Sequence, residues 1–260
     1  MHDHRLTNIH PDAKIAENVT IEPFTTIEKN VEIGEGTWIG PNVTIMEGCR
    51  IGKNCKIYPG AVLSGVPQDL KFEGEETLTI IGDNTVIREC VTISRGTKDK
   101  FKTEVGKNCL LMAYVHIAHD CIIGDNCIFS NSVQIAGHAE IGNFVTIGGT
   151  SAVHQFAKIG SHSFISGGCL VRKDVPPYVK AAREPLSYCG VNSVGLKRRG
   201  YDNQQVDDIQ EVYRIVFLRG YNNAKAIKEI EENIRPSEQK SEILDFLKKS
   251  TRGLMKGYGQ

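Results

Sequence analysis

The stretch Val31-Glu32-Ile33-Gly34-Glu35-Gly36-Thr37-Trp38-Ile39-Gly40-Pro41-Asn42-Val43-Thr44-Ile45-Met46-Glu47-Gly48-Cys49-Arg50-Ile51-Gly52 returns an isoleucine at every sixth position. Followed outward from Ile9 to Val171, the same phase holds large apolar residues at 25 of 28 positions, the exceptions being Asp69, Glu75 and Asp99. A period of six is neither the 3.6 of an α-helix nor the simple alternation of a long strand. It fits a short strand plus a corner, repeated. The residue two before each aliphatic is small or β-branched, as at Val19, Val31, Val43, Val91, Val115, Val133 and Val145, so each unit turns one large and one small side chain inward. Glycine or alanine often follows the aliphatic, as at Gly34, Gly52, Gly82, Gly106, Gly124 and Gly142, which suits a chain that turns sharply. Such hexapeptides predict a parallel β-helix whose coils bury their inner faces against one another.

The phase also accounts for the cysteines. Of the eight, Cys49, Cys55, Cys109, Cys121, Cys127 and Cys169 fall at the small inward position. They read as buried hydrophobes, not as disulfides, metal ligands or nucleophiles. The three lapses lie in polar excursions, Gln68-Asp69-Leu70-Lys71-Phe72-Glu73-Gly74 and Lys98-Asp99-Lys100-Phe101-Lys102, after which the phase resumes. Loops carried on a rigid scaffold are where binding groups concentrate.

The array is expected to stop at Asp174-Val175-Pro176-Pro177-Tyr178, where two prolines interrupt the ladder. Helical spacing follows in Val206, Ile209, Val212, Tyr213, Val216 and Phe217, in Ala226, Ile227, Ile230 and Ile234, and in Ile243, Leu244, Phe246 and Leu247 after Pro236. The organisation expected is therefore a β-helical domain over residues 1–189 and a small α-helical domain over residues 190–260.

With 260 residues, 40% of them hydrophobic, the chain has enough apolar matter for a sizeable core. Thirty-one basic and thirty-one acidic residues cancel, so no global field draws nucleic acid or an anionic membrane. Met1 to Leu6 holds no apolar leader and no run is long enough to span a bilayer, so the expected location is the cytoplasm.

Four of the eight histidines, His116, His119, His138 and His154, fall within thirty-nine residues of the repeat, and none takes the large inward position. They therefore lie outward or at corners. In Val115-His116-Ile117-Ala118-His119-Asp120 an imidazole stands beside a carboxylate able to fix its tautomer, the pairing a general base needs near neutral pH. The same residues, taken alone, also read as solvated corner histidines or as zinc ligands.

The segments Gln68-Asp69-Leu70-Lys71, His116-Ile117-Ala118-His119-Asp120, Ala136-Gly137-His138, Ala152-Val153-His154-Gln155-Phe156, Asp174-Val175-Pro176-Pro177-Tyr178 and Gly195-Leu196-Lys197-Arg198-Arg199-Gly200 together resemble bacterial UDP-N-acetylglucosamine O-acyltransferases, almost end to end and in order. The resemblance implies a left-handed β-helix, a hand that the general rule for parallel crossovers would not give. It implies transfer of an R-3-hydroxyacyl group from acyl carrier protein to the 3-hydroxyl of UDP-N-acetylglucosamine, the first step of lipid A biosynthesis, in a homotrimer whose sites lie between subunits. His119 would be the base, Asp120 its orienting partner and Gly137 N–H the oxyanion donor. Asp69, Lys71, His116, His138, Gln155, Asn192 and Arg198 would bind substrate, with Arg198 on the diphosphate because its planar fork suits phosphate. Gly167 would leave a deep acyl pocket, hence a long-chain donor. No metal and no dissociable cofactor is implied, because the acyl group arrives activated on the phosphopantetheine of the carrier.

Two positions depart from the pattern: Ser94, where the family often has histidine, and Val194, where an acidic residue is frequent. The other readings weighed are the related UDP-3-O-acylglucosamine N-acyltransferase, which carries a sizeable domain before its repeat, a γ-type carbonic anhydrase, and a nonenzymatic scaffold.

Overall fold

The computed structural model describes residues 6–257; five of the six residues on which the leader reading rests, Met1 to Arg5, lie outside them. Most strands are two residues long and recur every six, as in Thr20–Ile21, Thr26–Ile27 and Glu32–Ile33, and each pairs in parallel with the strand eighteen residues further on: Thr26 with Thr44, Glu32 with Arg50, Thr20 with Trp38. Three strands complete a coil, and the coils stack into sheets of nine, eight and ten strands. We call these the first sheet (from Asn8–Ile9), the second (from Lys14–Ile15) and the third (from Thr20–Ile21), in the order the chain visits them.

Every sheet turns its aliphatic phase inward. Ile39, Ile45, Ile57, Leu63, Ile87, Leu111, Ile117, Ile135 and Ile147 are fully buried, and each such side chain contributes about 1.5–3 kcal/mol by leaving water. The in-phase cysteines join them, and burial drives the Cys49 and Cys121 thiols up to about 12, which keeps them unreactive.

The glycines behave differently from the expectation of sharp turning. Gly34, Gly52, Gly82, Gly106, Gly124 and Gly142 have ordinary backbone angles; a Cβ on Gly34 would lie 2.6 Å from the Gly52 carbonyl carbon of the next coil. Close stacking, not turning, demands glycine there. Left-handed backbone falls instead on the corner residue of each unit. In the N-terminal coils that residue is often asparagine, at Asn18, Asn30, Asn42, Asn54 and Asn84, which tolerates φ near +55° through its short polar side chain.

Both excursions leave the scaffold on the passage from the first sheet to the second. Residues 66–77 connect Val62–Gly65 to Leu78–Ile81, and residues 95–101 connect Thr92–Ser94 to Lys102–Val105. The same passage two and three coils on carries Ala118 to Cys121 and Ala136 to Ala139, so the loops and the histidines share one edge of the prism.

The prolines at 176 and 177 do not end the ladder. Val175 still bridges Ile159, and Val179–Ala182 rejoins the third sheet beside Phe164–Ile165 before turning back antiparallel as Ser187–Val191. Then come α1 (Ser193–Arg198), α2 (Asn203–Leu218), α3 (Asn223–Asn233) and α4 (Glu238–Lys249). Asp202 and Gln205 form a capping box at the start of α2, and Ser237 caps α4. Ile234, expected within the second helical run, is the extended residue that terminates α3. Tyr188 stacks on Phe217 at 4.6 Å and the Tyr213 hydroxyl donates to Pro177 O at 2.6 Å, fastening α2 to the hairpin. Beyond α4 the chain returns to the solenoid, where Leu254 bridges Asp174 and Lys256 bridges Ser187.

Candidate active site

The edge between the first and second sheets gathers most of the residues singled out in the sequence. Asp120 is its corner residue, with φ +59°, and its carboxylate is completely buried. Oδ2 accepts from His119 Nδ1 at 2.8 Å and from the Thr97 hydroxyl at 2.7 Å; Oδ1 accepts from the N–H groups of Thr97 at 3.0 Å and Lys100 at 3.1 Å. Burial opposes ionisation, but the hydrogen bonds from His119, Thr97 and Lys100 outweigh it and hold the carboxyl below its ordinary value. An ionised Asp120 only accepts, so in the neutral tautomer His119 carries its proton on Nδ1 and keeps the lone pair on Nε2. That is the state required of a general base.

Gly137 lies directly against this imidazole: a Cβ there would stand 2.9 Å from both His119 Cε1 and Nε2. Its neighbours Ala136 and His138 donate their N–H groups to Val153 and His119, whereas among the described residues the Gly137 N–H makes no bond in the ladder. The His138 ring meets His119 edge-on at 5.0 Å, lies flat on Phe156 at 4.5 Å, and takes Asp99 on Nδ1 at 3.0 Å. His116 Nδ1 pairs with the Thr92 hydroxyl at 2.7 Å; burial first, and the charge of His119 second, lower its pKa and favour a neutral ring.

Two clefts flank the His119 and His138 pair. One, of about 380 Å³, is lined by Asp69, Lys71, Glu75, Thr97, Lys98, Asp99, His138 and Phe156; the other, of about 370 Å³, includes Gln68, Ser94, His116, His119, Gly137 and Gln155. The structure thus brings together Asp69, Lys71, His116, His119, Asp120, Gly137, His138 and Gln155. Asp69 organises its own loop by accepting from Lys71 N–H at 3.0 Å, and Arg95 lies over Phe72 of that loop at 5.4 Å.

The other three residues stand elsewhere on the chain. Gly167 lies on the passage from the third sheet back to the first, between Phe164–Ile165 and Leu170–Val171. Asn192 is the N-cap of α1: its side chain accepts from Gly195 N–H at 3.3 Å and donates to His162 O at 2.8 Å, so both ends are engaged internally. Arg198 ends α1, exposed, and Val194 is exposed one turn before it.

Thr97, Asp99, Lys100 and Phe156 were not singled out in the sequence for what they do here. Phe156 follows His138 by one full coil of eighteen residues, a signal the period already carried. The loop contacts left no such signal, because an excursion has no period.

His119, Asp120 and His138 are also a group, among the described residues, whose ligand atoms converge, within 4.8 Å. The Asp120 donor set opposes a metal: all four acceptor directions of its carboxylate are taken by Thr97, Lys100 and His119.

A stacked-hexapeptide prism with an aspartate-bound imidazole at the mouth of a cleft defines a hexapeptide acyltransferase, and residues 30–65 and 102–137 match the six-repeat bacterial transferase hexapeptide family. Residues 174–255 match the family described as UDP N-acetylglucosamine O-acyltransferase, domain 2. Among curated relatives, the acyl-[acyl-carrier-protein]–UDP-N-acetylglucosamine O-acyltransferase of Sulfurihydrogenibium sp. is 53% identical over 256 residues, covering 96% of this chain and 94% of its own. That of Aliivibrio fischeri is 43% identical over 260 residues, covering 97% and 99%. The crystal structure of a UDP-N-acetylglucosamine acyltransferase from Bacteroides fragilis superposes with a TM-score of 0.96 at 46% identity, covering 98% of this chain and all of the other. The chain belongs to the acyl-[acyl-carrier-protein]–UDP-N-acetylglucosamine O-acyltransferase family, is an acyltransferase, and has that family's left-handed β-helix. No helix among the described residues is long and apolar enough to cross a membrane.

Proposed function

We propose that this chain transfers a long R-3-hydroxyacyl group from acyl carrier protein to the 3-hydroxyl of UDP-N-acetylglucosamine, opening lipid A biosynthesis in the cytoplasm, and that His119 is the general base. The observation that carries the mechanism is the buried Asp120 carboxylate on His119 Nδ1. A sugar hydroxyl is a poor nucleophile at neutral pH, and Nε2, left open by the Nδ1–Asp120 bond, takes its proton as the oxygen attacks the thioester carbonyl. The Gly137 N–H then receives the oxyanion, and collapse expels the carrier thiolate. The thioester is activated on arrival, so the reading requires no acyl-enzyme, metal or dissociable cofactor.

In this reading Asp69, Lys71, His116, His138 and Gln155 hold the acceptor within the two clefts. Arg198 and Asn192 serve the diphosphate, and Gly167 lets a long acyl chain pass. The last three lie away from the His119 edge of their own chain, which supports a homotrimer in which one protomer completes its neighbour's site. We also divide the chain at residue 189, the β-helix to that point carrying the chemistry and residues 190–260 capping it. An assay with UDP-N-acetylglucosamine and a series of 3-hydroxyacyl carrier proteins is expected to show transfer that favours long chains. His119→Ala is expected to abolish it while the protein still sediments as a trimer. Near-normal transfer by a folded His119→Ala protein refutes the base; equal or better turnover of short donors refutes the deep pocket.

A further inference from the structure

The Asp120 carboxylate stands between two imidazoles. Its Oδ2 lies 2.8 Å from His119 Nδ1 and 4.0 Å from His138 Nε2, and a modest rotation would exchange one partner for the other. Nothing on the corner itself prevents this, because Asp120 is anchored there only through its main-chain N–H, which donates to the Thr103 hydroxyl at 2.8 Å. The restraint comes from residues 95–101. Thr97 is 6% exposed and gives Asp120 two donors, one to each carboxylate oxygen, and Lys100 N–H supplies a third. The Thr97 hydroxyl also accepts from Asp99 N–H at 3.3 Å, and the Asp99 carboxylate holds His138 Nδ1. One short loop therefore grips both the carboxylate and the competing ring.

We propose that Thr97 is a positioning residue for the reaction: its N–H and hydroxyl lock the Asp120 carboxylate in the rotation that serves His119 and withhold it from His138. The inference rests on His119 being the base. It explains why a loop that breaks the hexapeptide phase sits one coil below the base. It also gives the excursion a task beyond lining the cleft.

The consequence has a sign. Thr97 Oγ1 and His119 Nδ1 share Oδ2, so the hydroxyl holds beside His119 the charge that stabilises an imidazolium. Removing the hydroxyl lets the carboxylate turn toward His138 Nε2, 4.0 Å away, which lowers the affinity of His119 for protons and raises that of His138. The charged and titratable groups around His119 are His138 with Asp99, His116 three residues earlier on the same coil, Cys121 behind the corner, and Lys100, whose ammonium is directed 3.3 Å from Glu140.

The experiment compares full-length wild type with Thr97→Val, Thr97→Ala and Thr97→Ser, each labelled with ¹⁵N-histidine. The His119 resonance is assigned by its loss in His119→Gln, and its titration is read alongside the pH profile of kcat/KM. Both hydroxyl-free variants should move the His119 midpoint and the acid limb downward together by roughly half to one pH unit, and the His138 midpoint upward. kcat near neutral pH should fall, with the KM for UDP-N-acetylglucosamine within about twofold. Serine should restore both midpoint and limb. Using valine and alanine guards against a packing defect in one of them. An unmoved or raised His119 midpoint in a folded hydroxyl-free variant overturns the inference. Retained turnover by His119→Gln fails the base assignment instead, and the midpoint comparison still tests the clamp.

Discussion

Gly137→Ala is the substitution that most directly tests how tightly the base is held. The added methyl carbon would sit 2.9 Å from His119 Cε1 and Nε2, where ordinary contact begins at 3.4 Å, so the ring must retreat by about half an ångström. Its retreat is constrained, because Nδ1 is tied to a carboxylate that is itself gripped by three further donors. Positional errors of about 1 Å at reacting groups cost on the order of a hundredfold, so a loss of roughly ten- to a hundredfold in kcat is expected. The fold should survive, since the colliding atoms belong to a side chain. At Gly124 and Gly142 the nearest backbone atoms of the next coil lie 2.8 and 2.6 Å away, and alanine there should destabilise the solenoid. At Gly65, where the nearest atom is Ile93 O at 3.7 Å, alanine meets no obstruction. The assay is steady-state kcat and KM for Gly137→Ala, with urea unfolding of all four variants. A Gly137→Ala protein whose kcat stays within about threefold of wild type refutes the reasoning.

Three further outcomes follow from other contacts. Asp120→Asn keeps a residue that tolerates the left-handed corner but presents an amide N–H to His119 Nδ1, moving the ring proton to Nε2; kcat should drop by about 10²- to 10⁴-fold with the melting behaviour little changed. His162 is held down at about 4 by burial first and Arg199 second, so the unfolded chain binds a proton that the folded chain refuses; stability should fall on the order of 1–3 kcal/mol as pH drops from about 6.5 toward 4, and His162→Phe, stacked between Phe144 and Tyr178, should flatten that slope in pH-dependent urea titrations. Thr150 is β-branched and exposed at φ +58°, so Thr150→Asn should raise the urea midpoint by about 1 kcal/mol of stability at constant slope.

The hexapeptide phase made the scaffold legible because a solenoid repeats the same local problem at every corner, and one solution can be read many times. Ile33, Ile39 and Ile45 carry that information without reference to anything distant. His119 and Asp120 were legible because they are neighbours in sequence and their pairing is local. Thr97 and Asp99 act across 23 and 39 residues through a loop outside the phase, and no spacing rule reaches them. The glycine phase was visible but its cause was not: the clash that excludes a Cβ at Gly34 lies on the next coil, at Gly52 and Lys53. The return of Leu254 and Lys256 to the solenoid was hidden for the same reason, since their partners Asp174 and Ser187 lie far back in the sequence.

The corner residues show how the scaffold accommodates chemistry. Through the first coils asparagine or glycine often takes the left-handed position, but from Tyr114 to His162 it falls on Tyr114, Asp120, Ser132, His138, Phe144, Thr150, Phe156 and His162, with Asn126 between. Each of these bears a strain of roughly 1–2 kcal/mol that asparagine relieves only in part and glycine avoids. A sheet of short strands is too flat to enclose a substrate, whereas a corner projects a side chain away from two faces at once. Asp120, His138 and Phe156 stand at corners of the same edge on successive coils, so carboxylate, imidazole and phenyl ring are spaced by the rise of the solenoid and need no loop to set their separation. The strain is tolerable because dozens of fully buried aliphatic side chains lie behind it. The geometry also explains why both excursions lie on this edge: a projecting row of functional side chains becomes a cleft only when something rises beside it, and residues 66–77 and 95–101 do so within the chain.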